Sequence, residues 1–155
     1  MKQVILPGLV LLALSIPTLA ARNGTRKLDG RFERADLDAN GELTDIEFRA
    51  TQSKKASIAL SLHRFNYTDV NDDGIVTLTE FRASRGGVTG GKPNKAETFI
   101  LCDADDSLTL DPEEYSNSRS TSTPWTKVLK GFDKQDKDDD ALLTTREFGI
   151  RRFPL

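Results

Sequence analysis

Four twelve-residue segments of the chain share one arrangement of oxygen-bearing side chains. Each segment begins with Asp, carries Asp, Asn or Ser at its third and fifth positions, and ends with Glu. The segments span 36–47, 69–80, 103–114 and 136–147. A hard cation such as Ca²⁺ is bound by six to eight oxygens from carboxylates, amides and carbonyls. The chemistry that this pattern predicts is therefore the binding of a hard cation.

The spacing follows the calcium-loop pattern D-x-[DN]-x-[DN]-G-x5-E. Short side chains suit positions one, three and five because the backbone wraps tightly there, and the longer Glu at position twelve reaches back with both oxygens. Position seven supplies a backbone carbonyl, and position nine usually acts through water. Position six favours Gly because the turn needs a positive φ.

The first two loops match this pattern in full. The predicted ligands of loop one are Asp36, Asp38, Asn40, the Glu42 carbonyl and Glu47, with Thr44 at position nine. Those of loop two are Asp69, Asn71, Asp73, the Ile75 carbonyl and Glu80, with Thr77 at position nine. A solvated acidic turn is the alternative, and a complete match in both loops disfavours it.

The last two loops depart from the pattern at position six. Loop four offers Asp136, Asp138, Asp140, the Leu142 carbonyl and Glu147. Its Ala141 replaces Gly at a cost of about 1–2 kcal/mol, which is small beside four carboxylates around a dication. Loop three offers Asp103, Asp105, Ser107, the Thr109 carbonyl and Glu114. Leu108 at position six and the uncharged Ser107 leave two readings open, a calcium site or a loop kept to pair with loop four. We expect about three bound Ca²⁺ ions.

The elements that must position these loops repeat every 33 or 34 residues. A Phe precedes each loop by four residues and an aromatic residue follows each final Glu, so the two should meet in a core between helices. Thr44, Thr77, Thr144 and Asp111 have the spacing of helix N-caps whose Glu lies three residues later. The aliphatic eighth positions of paired loops should form a short antiparallel β-bridge. The sequence therefore predicts an all-α fold of two lobes, each built from two paired loops.

In these loops the chain resembles the EF-hand superfamily in its four-hand layout, over roughly residues 26–148. It looks most like small secreted EF-hand proteins of the bacterial type. The resemblance implies calcium binding and little else about the biological role.

The predicted organisation has four parts. Residues 1–20 combine a basic start, a short apolar stretch and small residues, which is typical of a secretory signal peptide cleaved after Ala20 or Ala21. A core helix or membrane anchor is the alternative, but Pro7, Gly8 and Pro17 interrupt the short stretch. Residues 21–84 and 95–155 form the two lobes, and residues 85–94 form a Gly-rich linker. We predict a secreted or periplasmic protein without a transmembrane segment.

The charge is concentrated in the loops, which hold twenty of the 24 acidic residues and two of the 22 basic ones. Bound calcium would neutralise the loops and leave a basic remainder, so an anionic surface or a protein could be a partner. A solvated basic face is the simpler reading. We predict no nucleic-acid partner.

Three classes of role remain: a calcium buffer or calcium-stabilised structural protein, a sensor that exposes a groove, and an enzyme. Met1 is the only methionine, which disfavours a promiscuous sensor with a Met-rich groove. The single histidine, His63, and the single cysteine, Cys102, fit a helix surface or core better than catalysis. We therefore predict that the protein is not an enzyme.

Overall fold

The computed structural model describes residues 19–152, and for residues 19–23 only the course of the backbone. The predicted signal peptide therefore lies almost wholly outside the described residues. Within them, the helices are α1 Leu19–Ala35, α2 Asp45–Ala50, α3 Ile58–Thr68, α4 Leu78–Ala83, α5 Lys95–Cys102, α6 Pro112–Asn117 and α7 Trp125–Asp133. The strands are β1 Glu42–Leu43, β2 Val76–Thr77, β3 Thr109–Leu110 and β4 Leu143–Thr144.

The strands join the loops in pairs, as predicted. Strands β1 and β2 are antiparallel with Leu43 opposite Val76, and β3 and β4 are antiparallel with Leu110 opposite Leu143. Each two-stranded sheet holds the backs of two loops together and leaves their oxygen-bearing faces outward. The predicted all-α fold with two EF-hand-like lobes and short β-bridges is confirmed.

The aromatic residues before and after each loop form the core of each lobe. In the N-terminal lobe, Phe32, Phe48, Phe65 and Phe81 are buried and meet edge-to-face at centroid distances of 5.6–6.0 Å. In the C-terminal lobe, Phe99, Tyr115, Phe132 and Phe148 do the same at 5.5–6.4 Å. Such pairs contribute about 0.5–1.5 kcal/mol each beyond the area they bury. The aromatic repeat therefore fixes the helices before and after the first three loops, and the helix before and the turn after loop four.

Most of the predicted helix starts are confirmed. Capping boxes open α2 at Thr44, α4 at Thr77, α5 at Asn94 and α6 at Asp111. The helix expected after loop four is reduced to a turn, although the Thr144 and Glu147 side chains make the same hydrogen bonds there. Gly149 explains the early end, because its φ of +89° takes the backbone out of the helical region two residues after Glu147.

The two lobes pack against each other, which the sequence left open. Ala59 of α3 is fully buried and belongs to the core of the C-terminal lobe. Ser57 and Ser120 form an isolated antiparallel bridge, and the Thr121 hydroxyl donates to the Lys54 carbonyl at 2.7 Å. The segment predicted as a linker contains a short 3₁₀ helix, Val88–Gly90. None of the helices within residues 19–152 combines the length and the apolar character needed to cross a bilayer.

Candidate metal centres

The Asp at position one of each loop accepts hydrogen bonds that close the turn around it. One carboxylate oxygen accepts from the N–H at position six in all four loops, at 2.9 Å from Gly41, Gly74 and Leu108 and at 3.1 Å from Ala141. The other oxygen accepts from the N–H at position five in loops one to three, at 2.9–3.2 Å. The carboxylate is therefore fixed inside the turn that it closes.

The Glu at position twelve bridges the two ends of each loop in the same way. One of its oxygens accepts from the N–H at position two, at 3.0 Å from Leu37 and 2.8–3.2 Å in the other three loops. The second oxygen accepts from the N–H at position nine, at 2.9–3.0 Å. Both oxygens of this side chain are thereby held at the loop's open face.

These hydrogen bonds also keep the position-twelve carboxylates ionised. The Thr44 N–H lowers the pKa of Glu47, the Thr77 N–H lowers that of Glu80, and the Lys137 N–H lowers that of Glu147. A carboxylate that accepts several N–H bonds is stabilised in its charged form. Three of the loops thus present a deprotonated ligand at the position that supplies two oxygens.

The residue at position five orients the carbonyl at position seven. Its side-chain oxygen accepts from the position-seven N–H, at 2.8 Å between Asn40 and Glu42 and at 2.9 Å between Asp140 and Leu142. Loops two and three make the same contact at 3.1 and 3.3 Å. The predicted ligand residues of all four loops are thus arranged in one common pattern.

The common pattern requires two left-handed residues in each loop. Position six has a φ of +84° at Gly41 and +83° at Gly74, and Leu108 and Ala141 adopt +62° and +66°. Position four is also left-handed, with φ of +55° to +57° at Ala39, Asp72, Asp106 and Asp139. The strain at position six was predictable from the glycine rule. The strain at position four was missed, although Asp at three of the four positions is a recognisable signal of this conformation.

Three of the loops bring carboxylate oxygens within 4.8 Å of one another. The clusters are Asp36 with Asp38 and Glu47, Asp103 with Asp105 and Glu114, and Asp136 with Asp138 and Glu147. Loop two has no such cluster within the described part of the chain. Its third position is the amide of Asn71, whose Nδ2 donates to Asp73 Oδ2 at 2.7 Å. The three clusters are arranged so that they could hold metal ions.

Loop four contains a buried carboxylate oxygen without a partner and a carboxyl group whose pKa is raised. Asp136 is buried, and its Oδ1 atom has no hydrogen-bond partner, although the equivalent oxygen is satisfied in the other loops. Desolvation and then the neighbouring Asp140, Glu147 and Asp136 carboxylates raise the pKa of Asp138. An orphaned buried oxygen beside crowded anions fits a cation at this point.

In loop three, an internal hydrogen bond occupies an oxygen that is predicted to bind the cation. The Ser107 hydroxyl donates to the Thr109 carbonyl oxygen at 3.1 Å and lies 3.0 Å from the Thr109 hydroxyl. That carbonyl is the predicted ligand of position seven. A metal would have to displace this hydrogen bond, whereas the carboxylates at the equivalent positions of loops two and four have no proton to donate.

The single cysteine is enclosed by packing, and the single histidine contacts the backbone of the segment that follows α4. Cys102 is fully buried, and burial together with the Glu114 carboxylate raises the pKa of its thiol to about 12. The His63 Nε2 atom lies 2.9 Å from the Gly90 carbonyl oxygen, and its Nδ1 atom lies 3.9 Å from Glu97. Cys102 thus packs as a small apolar side chain and His63 as a polar bridge between the lobes.

Two solved structures that match the chain are both distant from it in sequence. No protein-family model matches the chain, and no curated protein sequence does. A redox protein from Chlamydomonas reinhardtii is 22% identical with a TM-score of 0.37, over 86% of this chain and 49% of its own. The chain thus spans about half the length of that protein. Caltubin from the great pond snail is 19% identical with a TM-score of 0.40, over 86% and 96% of the two chains. With TM-scores below 0.5, neither neighbour supports a conclusion about this chain.

Proposed function

We propose that the chain is a calcium-binding protein whose four EF-hand-like loops hold the ion. The observation that carries the proposal is the convergence of side-chain oxygens in the loops, with three carboxylate clusters closer than 4.8 Å. Crowded carboxylates repel one another, so a structure that gathers them is stabilised by a cation. In loop four the buried Asp136 Oδ1 atom has no other partner.

The donor set favours calcium over other metals. Every predicted ligand is an oxygen, and no His or Cys lies within the four loops. Soft or borderline ions such as Zn²⁺ prefer nitrogen and sulfur ligands. Mg²⁺ demands near-ideal octahedral geometry and keeps several waters, whereas Ca²⁺ accepts six to eight oxygens in a flexible arrangement. Loops one, two and four should bind well, and loop three more weakly because of the Ser107–Thr109 hydrogen bond.

The role best supported is a calcium buffer or a calcium-stabilised structural protein. The lobes are packed together through Ala59 and the residue 120–121 contacts, so they do not behave as independent clamps on a flexible tether. The aromatic cores are closed in both lobes. The alternative is a calcium sensor that opens a groove for one specific partner, and the exposed Leu37, Ile46 and Val70 favour it.

A secreted or periplasmic location belongs to the same proposal. Its support is the sequence of residues 1–20, and cleavage after Ala20 or Ala21 would remove the first residues of α1. Mass spectrometry of the protein recovered outside the producing cell tests this. A mature protein that still begins at Met1 would contradict it.

Calorimetric titration of calcium into the chelator-treated protein tests the binding proposal. We expect three strong events and a weaker fourth, with magnesium giving much smaller heats at the same concentrations. Fewer than two events would overturn the assignment of the loops. The double variant Asp136→Asn with Asp138→Asn should remove one strong event and leave the others. The matched control is Glu33→Gln with Asp133→Asn, because those residues are exposed and lie outside the loops.

The fluorescence of a hydrophobic dye separates the two roles. Calcium-dependent enhancement, absent with magnesium, would indicate that an apolar groove opens and would support the sensor. Unchanged or lower fluorescence on adding calcium is the result expected for a buffer or structural protein, because the aromatic cores stay closed.

A further inference from the structure

Four cations surround one open cleft of about 540 Å³ in the C-terminal lobe. They are Lys95 of α5, Arg119 after α6, Lys134 at the end of α7, and Lys137 in loop four. Among residues 19–152, none of the four forms an ion pair with a carboxylate within 4.0 Å. Ligand sites for small molecules have volumes of about 300–1,000 Å³. We call this feature the cationic cleft.

Two of the four cations lie over aromatic rings, and a third, Lys137, donates through its Nζ atom to the Lys134 carbonyl oxygen. The Arg119 guanidinium lies 4.6 Å from the centroid of the Tyr115 ring, and the Lys95 ammonium lies 6.0 Å from that of Phe148. Cation–π contacts of this kind position the group without neutralising its charge. The positive charge thus remains available to a ligand.

Two glycines lie in or next to the cleft, at positions where an added side chain would meet its surroundings. A Cβ atom at Gly131 would lie 3.0 Å from the Tyr115 hydroxyl, and a Cβ at Gly149 would lie 2.5 Å from the Lys95 Nζ atom. Any side chain at these positions would compete with the groups that line the cleft. Of the two glycines, Gly131 lines the cleft itself, and Gly149 follows the lining residue Phe148.

In the N-terminal lobe, two side chains occupy the positions that correspond to Arg119 and Gly131. Counted from the loops, Arg119 corresponds to Gln52 and Gly131 to Arg64. There the Arg64 Nη1 atom donates to the Gln52 Oε1 atom at 3.0 Å, and the Gln52 amide donates to the Gly86 carbonyl at 3.1 Å. Those two side chains bind each other and the segment that follows α4. The corresponding pair in the C-terminal lobe cannot form this contact, because Gly131 has no side chain.

We infer that the cationic cleft binds a small oxyanion, either free or as a phosphate or sulfate ester. Arg offers a planar fork of N–H donors to such a group, and Lys offers a point charge. Thr98, Ser118 and Gln135 also line the cleft, but their side-chain donors are engaged within the protein. The four cations are therefore the groups that would bind the anion.

The same geometry couples the cleft to loop four, and this part of the inference depends on the proposed calcium binding. Glu147 is both a predicted calcium ligand and a lining residue of the cleft, and the nearby Lys137 charge helps to lower its pKa. A cation on Glu147 would neutralise the one carboxylate that repels an anion from the cleft. By linkage, calcium and the oxyanion should each tighten the binding of the other, by about fivefold at least.

The test is an NMR titration of the calcium-loaded protein with sodium sulfate and, separately, with phenyl phosphate, at constant ionic strength. We expect saturable shifts of the Gly131 and Gly149 amide signals. The double variant Arg119→Gln with Lys134→Gln should weaken binding by about tenfold or more, the scale of losing charge-assisted hydrogen bonds. The matched control, Lys127→Gln with Lys130→Gln, removes the same amount of charge from α7 outside the cleft. It should change the affinity for the anion by less than about twofold.

Equal weakening in both double variants would overturn the inference, because it would show a diffuse surface potential. So would the absence of saturable shifts, or binding to anionic vesicles without any shift from either small anion. The coupling is tested by repeating the titrations without calcium and in Asp138→Asn, which removes a loop-four ligand outside the cleft. Loss of the calcium effect in that variant is expected. Calorimetry on the same samples measures calcium binding directly. A cleft that does not bind the anion can therefore be distinguished from loops that do not bind calcium.

Discussion

The two lobes reach the same loop geometry by different means. In the N-terminal lobe, glycine occupies position six of both loops, and each loop has three carboxylates and one Asn among its side-chain ligands. In the C-terminal lobe, Leu108 and Ala141 are held at positive φ, and loop four has four carboxylates. One lobe is built with little backbone strain and moderate charge. The other combines strain with stronger repulsion, so its folded state should depend more on a bound cation.

The largest expected effect of this difference is on the stability of each lobe after calcium removal. A ligand present at a hundred times its Kd stabilises the folded state by about 2.7 kcal/mol per site. Cys102 is a natural reporter of the C-terminal lobe, since it is fully buried. We expect chelation to raise its rate of labelling by a thiol reagent by about a hundredfold.

Amide exchange at Val76, in the β-bridge of the N-terminal lobe, is the internal comparison for that experiment. It should accelerate less than exchange at Leu143, its counterpart in the C-terminal lobe. Equal acceleration in the two bridges would show that the lobes unfold together and that the contrast in strain and charge has no consequence for stability.

The next effect concerns the final Glu of each loop. Glu47→Gln leaves loop one with Asp36 and Asp38 as its carboxylates, whereas Glu147→Gln leaves loop four with three. Both changes remove a charged ligand and should weaken calcium binding at their own loop by about a hundredfold, with the greater loss in loop one. Calorimetry measures the affinity of each variant.

Glu33→Gln is the control for both, because Glu33 is exposed on α1 outside the loops. It should leave every calcium event unchanged. A greater loss at loop four than at loop one would contradict the view that extra carboxylates compensate for its backbone.

The loop ligands and the aromatic cores were predictable because both follow from short, fixed spacings. A Glu at position twelve can close a twelve-residue loop only if Asp stands at position one, and the flanking aromatics must lie on the inner faces of the two helices. The pairing of Leu43 with Val76 follows from the same register. Local rules therefore determine each loop and each pair.

The contacts between the lobes could not be predicted in the same way. Ala59 is a small residue on a weakly amphipathic helix, and nothing in its neighbours indicates that it completes the core of the other lobe. The Ser57–Ser120 bridge joins residues more than sixty positions apart through backbone atoms, which carry no side-chain signal. The shortened helix after loop four depends on a single glycine, Gly149, whose positive φ becomes evident only in the folded chain.

A smaller effect is expected from repairing loop three. Ser107→Asp adds a carboxylate and removes the hydroxyl that donates to the Thr109 carbonyl. Calcium affinity of this loop should rise by about tenfold, since hydrogen bonds and ligands that carry charge contribute more than neutral ones. Ser122→Asp places the same charge in the same lobe but outside the loops. It should raise the calcium affinity of loop three by much less. A change of similar size in both variants would show that net charge, rather than the ligand at position five, limits loop three.

The smallest expected effect is that of backbone strain at position six on calcium affinity. A Cβ atom at Gly41 would have no neighbour within 4 Å, so Gly41→Ala adds strain at φ +84° without a steric clash. It should weaken calcium binding in loop one by about fivefold, which corresponds to about 1 kcal/mol.

Ala141→Gly should strengthen calcium binding in loop four by a similar factor, because glycine adopts its φ of +66° without that cost. Gly24→Ala also has open space around the added carbon but no positive φ, and should leave calcium affinity unchanged. If Ala141→Gly instead weakens loop four, alanine is not the strained element of the C-terminal lobe, and charge alone separates the two lobes.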